Sequence, residues 1–175
     1  SQLLEEWAWD AAVLQRFAKH VETNEPIPAD VVKKMRESSE FGQGVHVMRQ
    51  VALTALSFEL HNNNKPKDIV LVDVAKDVAK RYSPYPYPEG TYQFASFGHL
   101  NGYSSMYYTY QWSLSLAKDI FTRFAKEGLL NPAVAQDYVQ KILRPGGSQD
   151  ASQLVQDFLG REPNLDAYRA WLQAK

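Results

Sequence analysis

The segment Ser83-Pro84-Tyr85-Pro86-Tyr87-Pro88 cannot be helical. Proline has no amide hydrogen and pushes the residue before it towards an extended conformation, so three alternating prolines exclude a helix. The sequence predicts a long loop over residues 83–101, and its aromatic side chains favour an ordered loop. Long loops inside a compact domain are usually functional.

On both sides of this loop, apolar residues recur at the helical interval between short breakers. The predicted helices are 1–22, 28–38, 44–61, 68–82, 104–126, 132–143, 150–159 and 164–173. The β-branched residues of 68–82 would also suit a strand, but the 3.6-residue repeat, with charged residues turned outward, favours a helix. We therefore expect an all-α fold with a long Pro/Tyr-rich loop before the central aromatic helix, in a single helical domain over residues 1–175.

Composition excludes several classes of protein. The chain has 175 residues, a net charge of -1 and no cysteine. These values exclude a domain-wide basic surface for nucleic acid, disulfide scaffolds and thiol nucleophiles. No apolar run reaches eighteen residues, so we expect no membrane span. Neither a nucleic acid nor a membrane is an expected partner.

The four histidines do not form a recognisable metal motif. They are His20, His46, His61 and His99, and no two have the three- or four-residue spacing that places two ligands on one helical face. The first three lie among polar neighbours on predicted helices and are interpreted as surface residues. We expect this chain to bind no metal by itself.

Tyrosine is concentrated around the fourth histidine. Of 10 tyrosines, eight lie between Tyr82 and Tyr110. His99 lies between two glycines, which let a backbone approach a ligand closely. Tyr103, Tyr107 and Tyr110 follow at a spacing that predicts one stripe on a helix. Phenols and an imidazole can donate to an oxyanion or a peptide carbonyl. The alternative is a packed aromatic stripe with satisfied hydroxyls.

The order of four motifs resembles the helical C-terminal region of the thimet oligopeptidase family, and the resemblance covers the whole chain. The motifs are Ser1-Gln2-Leu3-Leu4-Glu5-Glu6-Trp7-Ala8-Trp9, Phe97-Gly98-His99-Leu100-Asn101-Gly102-Tyr103 with Tyr107-Tyr108-Thr109-Tyr110-Gln111-Trp112, Ile142-Leu143-Arg144-Pro145-Gly146-Gly147-Ser148, and Phe158-Leu159-Gly160-Arg161-Glu162-Pro163.

The resemblance implies a nearly all-helical zinc metallopeptidase that cleaves short peptides. Such enzymes hold zinc with an H-E-x-x-H helix and a downstream Glu, and neither is present here. The chain is therefore expected to be the C-terminal part of a larger peptidase, inactive by itself, with the zinc-binding portion of the same enzyme as its missing partner. Self-association through the surface left bare is also expected. The expected compartment is the cytoplasm, with the periplasm as the alternative.

The resemblance also implies roles for individual residues. Tyr110 matches the phenol that stabilises the oxyanion, while His99 and Tyr103 bind substrate and help to stabilise the tetrahedral intermediate. Gly102 matches a loop glycine that contacts the peptide backbone, and Tyr107 matches a further tyrosine of the cleft. Many relatives have a longer segment between the histidine and the Gly-Tyr pair than this chain does. The competing hypothesis is a catalytically inert helical interaction module.

Overall fold

The regular structure of this chain is helical, which confirms the predicted all-α class. In a computed structural model, residues 1–62 and 66–173 are described, and no strand occurs among them. Their α-helices are Gln2–Glu5 (α1), Ala11–Leu14 (α2), Ala29–Glu40 (α3), Gln43–His61 (α4), Leu71–Tyr82 (α5), His99–Gly102 (α6), Thr109–Glu127 (α7), Pro132–Tyr138 (α8), Ala151–Leu159 (α9) and Asp166–Gln173 (α10). None of the helices in the described ranges is both long and apolar enough to cross a bilayer.

Several helix ends follow local capping chemistry. The Asn131 side chain accepts a hydrogen bond from the Ala133 amide at 3.0 Å, and Pro132 occupies the first helical position of α8. Asp150 caps α9 in the same way, and Gly160 ends it in the left-handed region with φ 69°. The predicted helix 132–143 is α-helical only to Tyr138, because Val139–Leu143 forms a π-helical turn.

The predicted helix over residues 1–22 is wrong beyond Leu14. Asp10 adopts an extended conformation and accepts from the Val13 amide at 2.9 Å, so it ends one short helical segment and caps the next. Past Leu14 the chain turns, and an isolated bridge pairs Lys19 with Pro26. Apolar residues recur at helical spacing beyond Leu14, although this segment is not helical. Val21, which that spacing assigned to the apolar face, exposes 95% of its surface.

The central aromatic helix begins at Thr109 instead of residue 104. Ser105 has φ 59°, a left-handed conformation that interrupts a right-handed helix. Tyr103 and Tyr107 therefore lie in turns, and of the three spaced tyrosines only Tyr110 lies within a helix. The predicted stripe along one helix is wrong.

The chain divides into two compact units, Ser1–Phe41 with the chain from Ser113 onward, and Gly42–Trp112. The first has a core of buried apolar side chains from its helices: Leu3, Ala117, Ile120, Phe124, Val134, Val155 and Phe158. Trp7 packs edge-on to Phe124 and donates its indole N–H to the Leu129 carbonyl at 2.8 Å. The single domain over residues 1–175 stays a prediction.

The second unit is built on α4 packed against α5. Leu56, Ala75 and Val78 form its buried centre. Aromatic residues from the following loop pack on that centre, namely Tyr87, Phe94 and Phe97. The Pro/Tyr-rich loop is therefore anchored to the two helices, in accord with the ordered loop that its aromatic content predicts.

Candidate functional site

His99 and Tyr110 are joined directly in the second unit. The imidazole Nε2 of His99 lies 3.1 Å from the Tyr110 hydroxyl. His99 is in the first turn of the short helix α6 and Tyr110 is in the first turn of α7, so the chain between them makes a tight reversal. The left-handed Ser105 and the turns around it bring the two side chains together.

Two further phenols border this pair. The Tyr107 ring centroid lies 5.0 Å from those of both His99 and Tyr110, and the Tyr103 centroid lies 5.8 Å from that of His99. The four side chains of His99, Tyr103, Tyr107 and Tyr110 thus form one cluster, which we call the His/Tyr cluster. Turns place them together, in place of the helical stripe that the spacing predicts.

The members of the cluster differ in exposure. Tyr107 exposes only 9% of its surface, whereas Tyr110 exposes 46% and Tyr103 exposes 60%. Tyr107 is thus the packed base of the cluster, and the other two phenols face solvent. The packed-aromatic alternative describes Tyr107, whereas the ligand-binding role of the two exposed phenols stays a prediction.

Tyr107 is held as a neutral phenol. Burial raises the pKa of its hydroxyl, the nearby Tyr110 raises the pKa further, and the positive charge of Arg49 acts in the opposite direction. The net effect is a raised pKa, so the proton stays on at neutral pH. The group can therefore donate a hydrogen bond throughout the physiological range.

Gly102 ends helix α6 with open space beside it. A Cβ built at this position meets no atom of the described structure within 4 Å, and its φ is not positive. The backbone of the chain therefore does not require glycine there. Because glycine has no side chain, a ligand can approach the backbone closely at this position, next to the His/Tyr cluster.

Phe97 and Arg49 belong to the surroundings of the cluster, and neither is among the site residues that the sequence predicts. The Phe97 ring lies 5.1 Å from Tyr107 and 5.5 Å from His99, and it also packs on the buried centre of the unit. Arg49 had a recognisable signal: it follows Val45 by four residues and precedes Ala52 by three, so a charged residue interrupts the apolar stripe of α4.

The described residues do not fit a zinc site. Zinc sites in proteins use three or four His, Cys, Asp or Glu ligands. Within residues 1–62 and 66–173, no group of three such side chains lies close enough together to hold a metal ion. His20 uses its Nδ1 to accept from the amides of Glu22 and Thr23, and His61 Nδ1 lies 2.7 Å from the Ser57 carbonyl.

Comparison with known proteins places this arrangement in a family. The model of peptidase family M3 matches residues 1–174. Oligopeptidase A of Escherichia coli (strain K12) is 33% identical over 171 residues, which are 95% of this chain and 25% of that protein. The thimet-like oligopeptidase of Dictyostelium discoideum is 30% identical, over 96% of this chain and 25% of its own length.

A dipeptidyl carboxypeptidase of Salmonella typhimurium is 29% identical over 95% of this chain. The chain therefore spans about a quarter of the length of these curated relatives. The match of the family model runs through both compact units and includes the whole His/Tyr cluster. The chain belongs to peptidase family M3.

Proposed function

We propose that this chain is the substrate-binding and oxyanion-stabilising C-terminal part of a zinc-dependent oligopeptidase that hydrolyses short peptides. The observation that carries the proposal is the distance of 3.1 Å between the His99 imidazole and the hydroxyl of Tyr110, a residue that is half exposed. The chain that contains this contact matches peptidase family M3 over residues 1–174. The matched relatives are about four times as long as this chain, which supports a partial peptidase.

Tyr110 is the proposed oxyanion donor. When a nucleophile adds to a peptide carbonyl, the oxygen gains negative charge, and a donor placed at that oxygen lowers the barrier by about 3–4 kcal/mol. A phenol is neutral at pH 7 and has a strong O–H donor. Tyr110 combines that chemistry with a solvent-facing side chain.

His99 is proposed to orient that phenol. If Nε2–H donates to the Tyr110 oxygen, the hydroxyl hydrogen of Tyr110 is the one given to a substrate oxygen, and its donor strength increases because hydrogen bonds in a chain polarise one another. Tyr103, the most exposed phenol of the cluster, is the proposed second donor to the developing charge. Its ring lies against His99.

Gly102 and Tyr107 are the proposed substrate-binding residues. Open space at Gly102 allows a peptide backbone to lie next to the cluster. Tyr107 supports the rings of both His99 and Tyr110 from a buried position. It thereby limits the motion of the donors, which is what oxyanion stabilisation needs.

Zinc is proposed for the whole protein and not for this chain. No group of His, Asp or Glu side chains among the described residues is arranged to hold the metal. Its ligands, and the residues that activate water, belong in this proposal to the remainder of the polypeptide. This chain alone is proposed to be inactive. The proposed partners are short peptides and that remainder, and the proposed compartment is the cytoplasm.

The test is Tyr110→Phe in the full-length protein, with Tyr108→Phe as the matched control. Phe keeps the ring, so one hydroxyl is lost, and we expect kcat to fall by roughly a hundredfold or more with little change in KM. Tyr108 is half exposed, and no ring contact of its side chain occurs among the described residues, so its variant should keep the parental kcat. Equal effects of the two variants on kcat would mean that the tyrosines act only in packing, which would contradict the oxyanion role of Tyr110.

A further inference from the structure

A cavity lies in the same compact unit as the His/Tyr cluster, between α4, α5 and the Pro/Tyr-rich loop. Its volume is about 400 Å³. Leu56, Ala75 and Val78 form its floor, and residues 83–88 of the loop form its opposite wall. This volume is near the lower end of the range of about 300–1,000 Å³ for small-ligand sites. It suits one or two residues of a peptide.

One positive charge stands at this cavity. Among the described residues that line it, Arg49 is the charged one, and the rest are apolar or neutral polar groups. None of the ion pairs in the described part of the chain includes Arg49. The cavity therefore combines an apolar floor with one guanidinium that no carboxylate of the described residues neutralises.

The same side chains connect the cavity to the His/Tyr cluster. Arg49 acts electrostatically on Tyr107, and Tyr107 contacts both His99 and Tyr110. Phe97 packs on the floor residues of the cavity and also against Tyr107. The cavity floor and the His/Tyr cluster therefore have Phe97 as a common neighbour.

The loop wall is held in place by its own hydrogen bonds. The Tyr87 hydroxyl donates to the Thr91 carbonyl at 2.9 Å, and the Thr91 hydroxyl donates to the Pro88 carbonyl at 2.8 Å. Lys76 on α5 forms an ion pair with Glu89 at 3.1 Å. Prolines at alternate positions further restrict the backbone. The wall is a preformed surface, which lowers the entropic cost of binding.

We propose that this cavity takes the apolar side chain of a peptide's C-terminal residue, while Arg49 pairs with the free α-carboxylate. The inference rests on the proposed function and names its substrate class: short peptides that end in an apolar residue with an unblocked carboxyl group. A guanidinium matches a carboxylate through two parallel N–H donors, and the apolar floor matches an aliphatic side chain. The charge and the shape of the cavity point to the same ligand.

The experiment measures binding of N-acetyl-L-leucine and of its amide to the full-length protein by titration calorimetry. The two probes share the side chain and differ in the carboxylate. Arg49→Gln removes the charge, and Arg81→Gln is its control, because Arg81 is on α5 of the same unit and does not line the cavity. We expect Arg49→Gln to lower the affinity for N-acetyl-L-leucine by about tenfold or more and the affinity for its amide by less than about twofold.

A second variant tests the apolar part. Ala79 lines the cavity, and Ala79→Leu adds volume there. We expect this variant to abolish the preference for N-acetyl-L-leucine over N-acetylglycine. Equal affinity of the parent protein for the acid and the amide, or equal losses in Arg49→Gln and Arg81→Gln, would overturn the inference.

Tyr110→Phe separates this inference from the proposed function, because neither probe has a scissile bond. We expect it to leave the affinity for N-acetyl-L-leucine unchanged while it lowers kcat for peptides. Arg49-dependent binding without any effect of Tyr110→Phe on kcat would refute the oxyanion role alone. A kcat effect without Arg49-dependent binding would refute the cavity assignment alone.

Discussion

The imidazole Nε2 of His99 and the hydroxyl of Tyr110 lie 3.1 Å apart, although the two residues are eleven positions apart in the sequence. Neither residue shares a helix with the other, so this contact depends on the conformation of the segment between them. It couples an imidazole to the phenol that is proposed to act on substrate.

We expect His99→Ala to lower kcat of the full-length protein by roughly tenfold, because the phenol loses one orienting hydrogen bond. His99→Gln should recover part of that loss, since the Gln amide nitrogen can occupy the position of Nε2. His46→Ala on the exposed face of α4 is the control. If Gln is no better than Ala, the orienting role is incorrect.

Asp119 should be a main contributor to the stability of the first unit. It is 1% exposed, its carboxylate accepts two guanidinium hydrogen bonds from Arg161, and it also accepts from the Asn164 amide at 2.8 Å. The side chain of Arg161 is 41% exposed, so Asp119→Ala leaves that charge accessible to water and removes mainly charge-assisted hydrogen bonds, which contribute about 1.5–3 kcal/mol. Asp119→Ala should lower the free energy of unfolding in urea by that order.

Asp166→Ala is the matched control for Asp119→Ala. Asp166 is 78% exposed and pairs with Arg169 at 3.6 Å, and exposed pairs contribute about 0–1 kcal/mol. If Asp166→Ala lowered the free energy of unfolding as much as Asp119→Ala does, the hydrogen bonds of Asp119 would not account for the loss.

The contribution of Asp137 to the free energy of unfolding should depend on pH. Partial burial would raise the pKa of its carboxyl, but hydrogen bonds from Arg123 and Lys141 outweigh that effect and lower it. A carboxyl with a lower pKa in the folded state stabilises the fold above its unfolded pKa of about 3.9, and this contribution is lost as the pH falls through the folded value.

Asp137→Asn should therefore lower the free energy of unfolding at pH 7 by about 1–2 kcal/mol, allowing for partial solvent screening. The difference from the parent protein should shrink below about pH 4. Asp30→Asn, in an exposed pair with Lys34, should change little at either pH. Urea titrations across this range measure both, and a pH-independent difference for Asp137→Asn would contradict the assignment.

Ser57→Ala should stabilise the chain. Ser57 on α4 is fully buried, and its hydroxyl has no hydrogen-bond partner in the described structure. An unsatisfied buried polar group costs about 1–3 kcal/mol, so its removal should raise the unfolding free energy by up to about that amount. Ser38→Ala, on the exposed face of α3, reports the gain in helix propensity alone. If Ser38→Ala raised the free energy of unfolding more than Ser57→Ala does, the prediction for Ser57 would be contradicted.

Local chemistry was enough to predict much of the fold. Apolar periodicity and breakers predicted α4, α5 and α9 closely, because each has an apolar face and a breaker or cap next to at least one end. These are Gly42 before α4, Pro84 after α5, and Asp150 and Gly160 around α9. The proline pattern predicted the loop after Tyr82, but the predicted range of 83–101 is wrong at its end, because α6 begins at His99. The family motifs identified His99, Tyr103, Tyr107 and Tyr110 as one group, and the structure places their rings together.

Long-range packing decided the rest. The spacing of the tyrosines predicted a helical stripe, but a left-handed Ser105 produced turns, which the side-chain interval does not record. The burial of Asp119 depends on Arg161, which is 42 residues away. Arg49 becomes the charge of a cavity only when α5 and the loop close over its helix. The sequence by itself determined which residues favour helices and where helices end, because those preferences are local. Contacts between distant residues decide which side chains share a site and which are buried. These contacts form only in the folded chain.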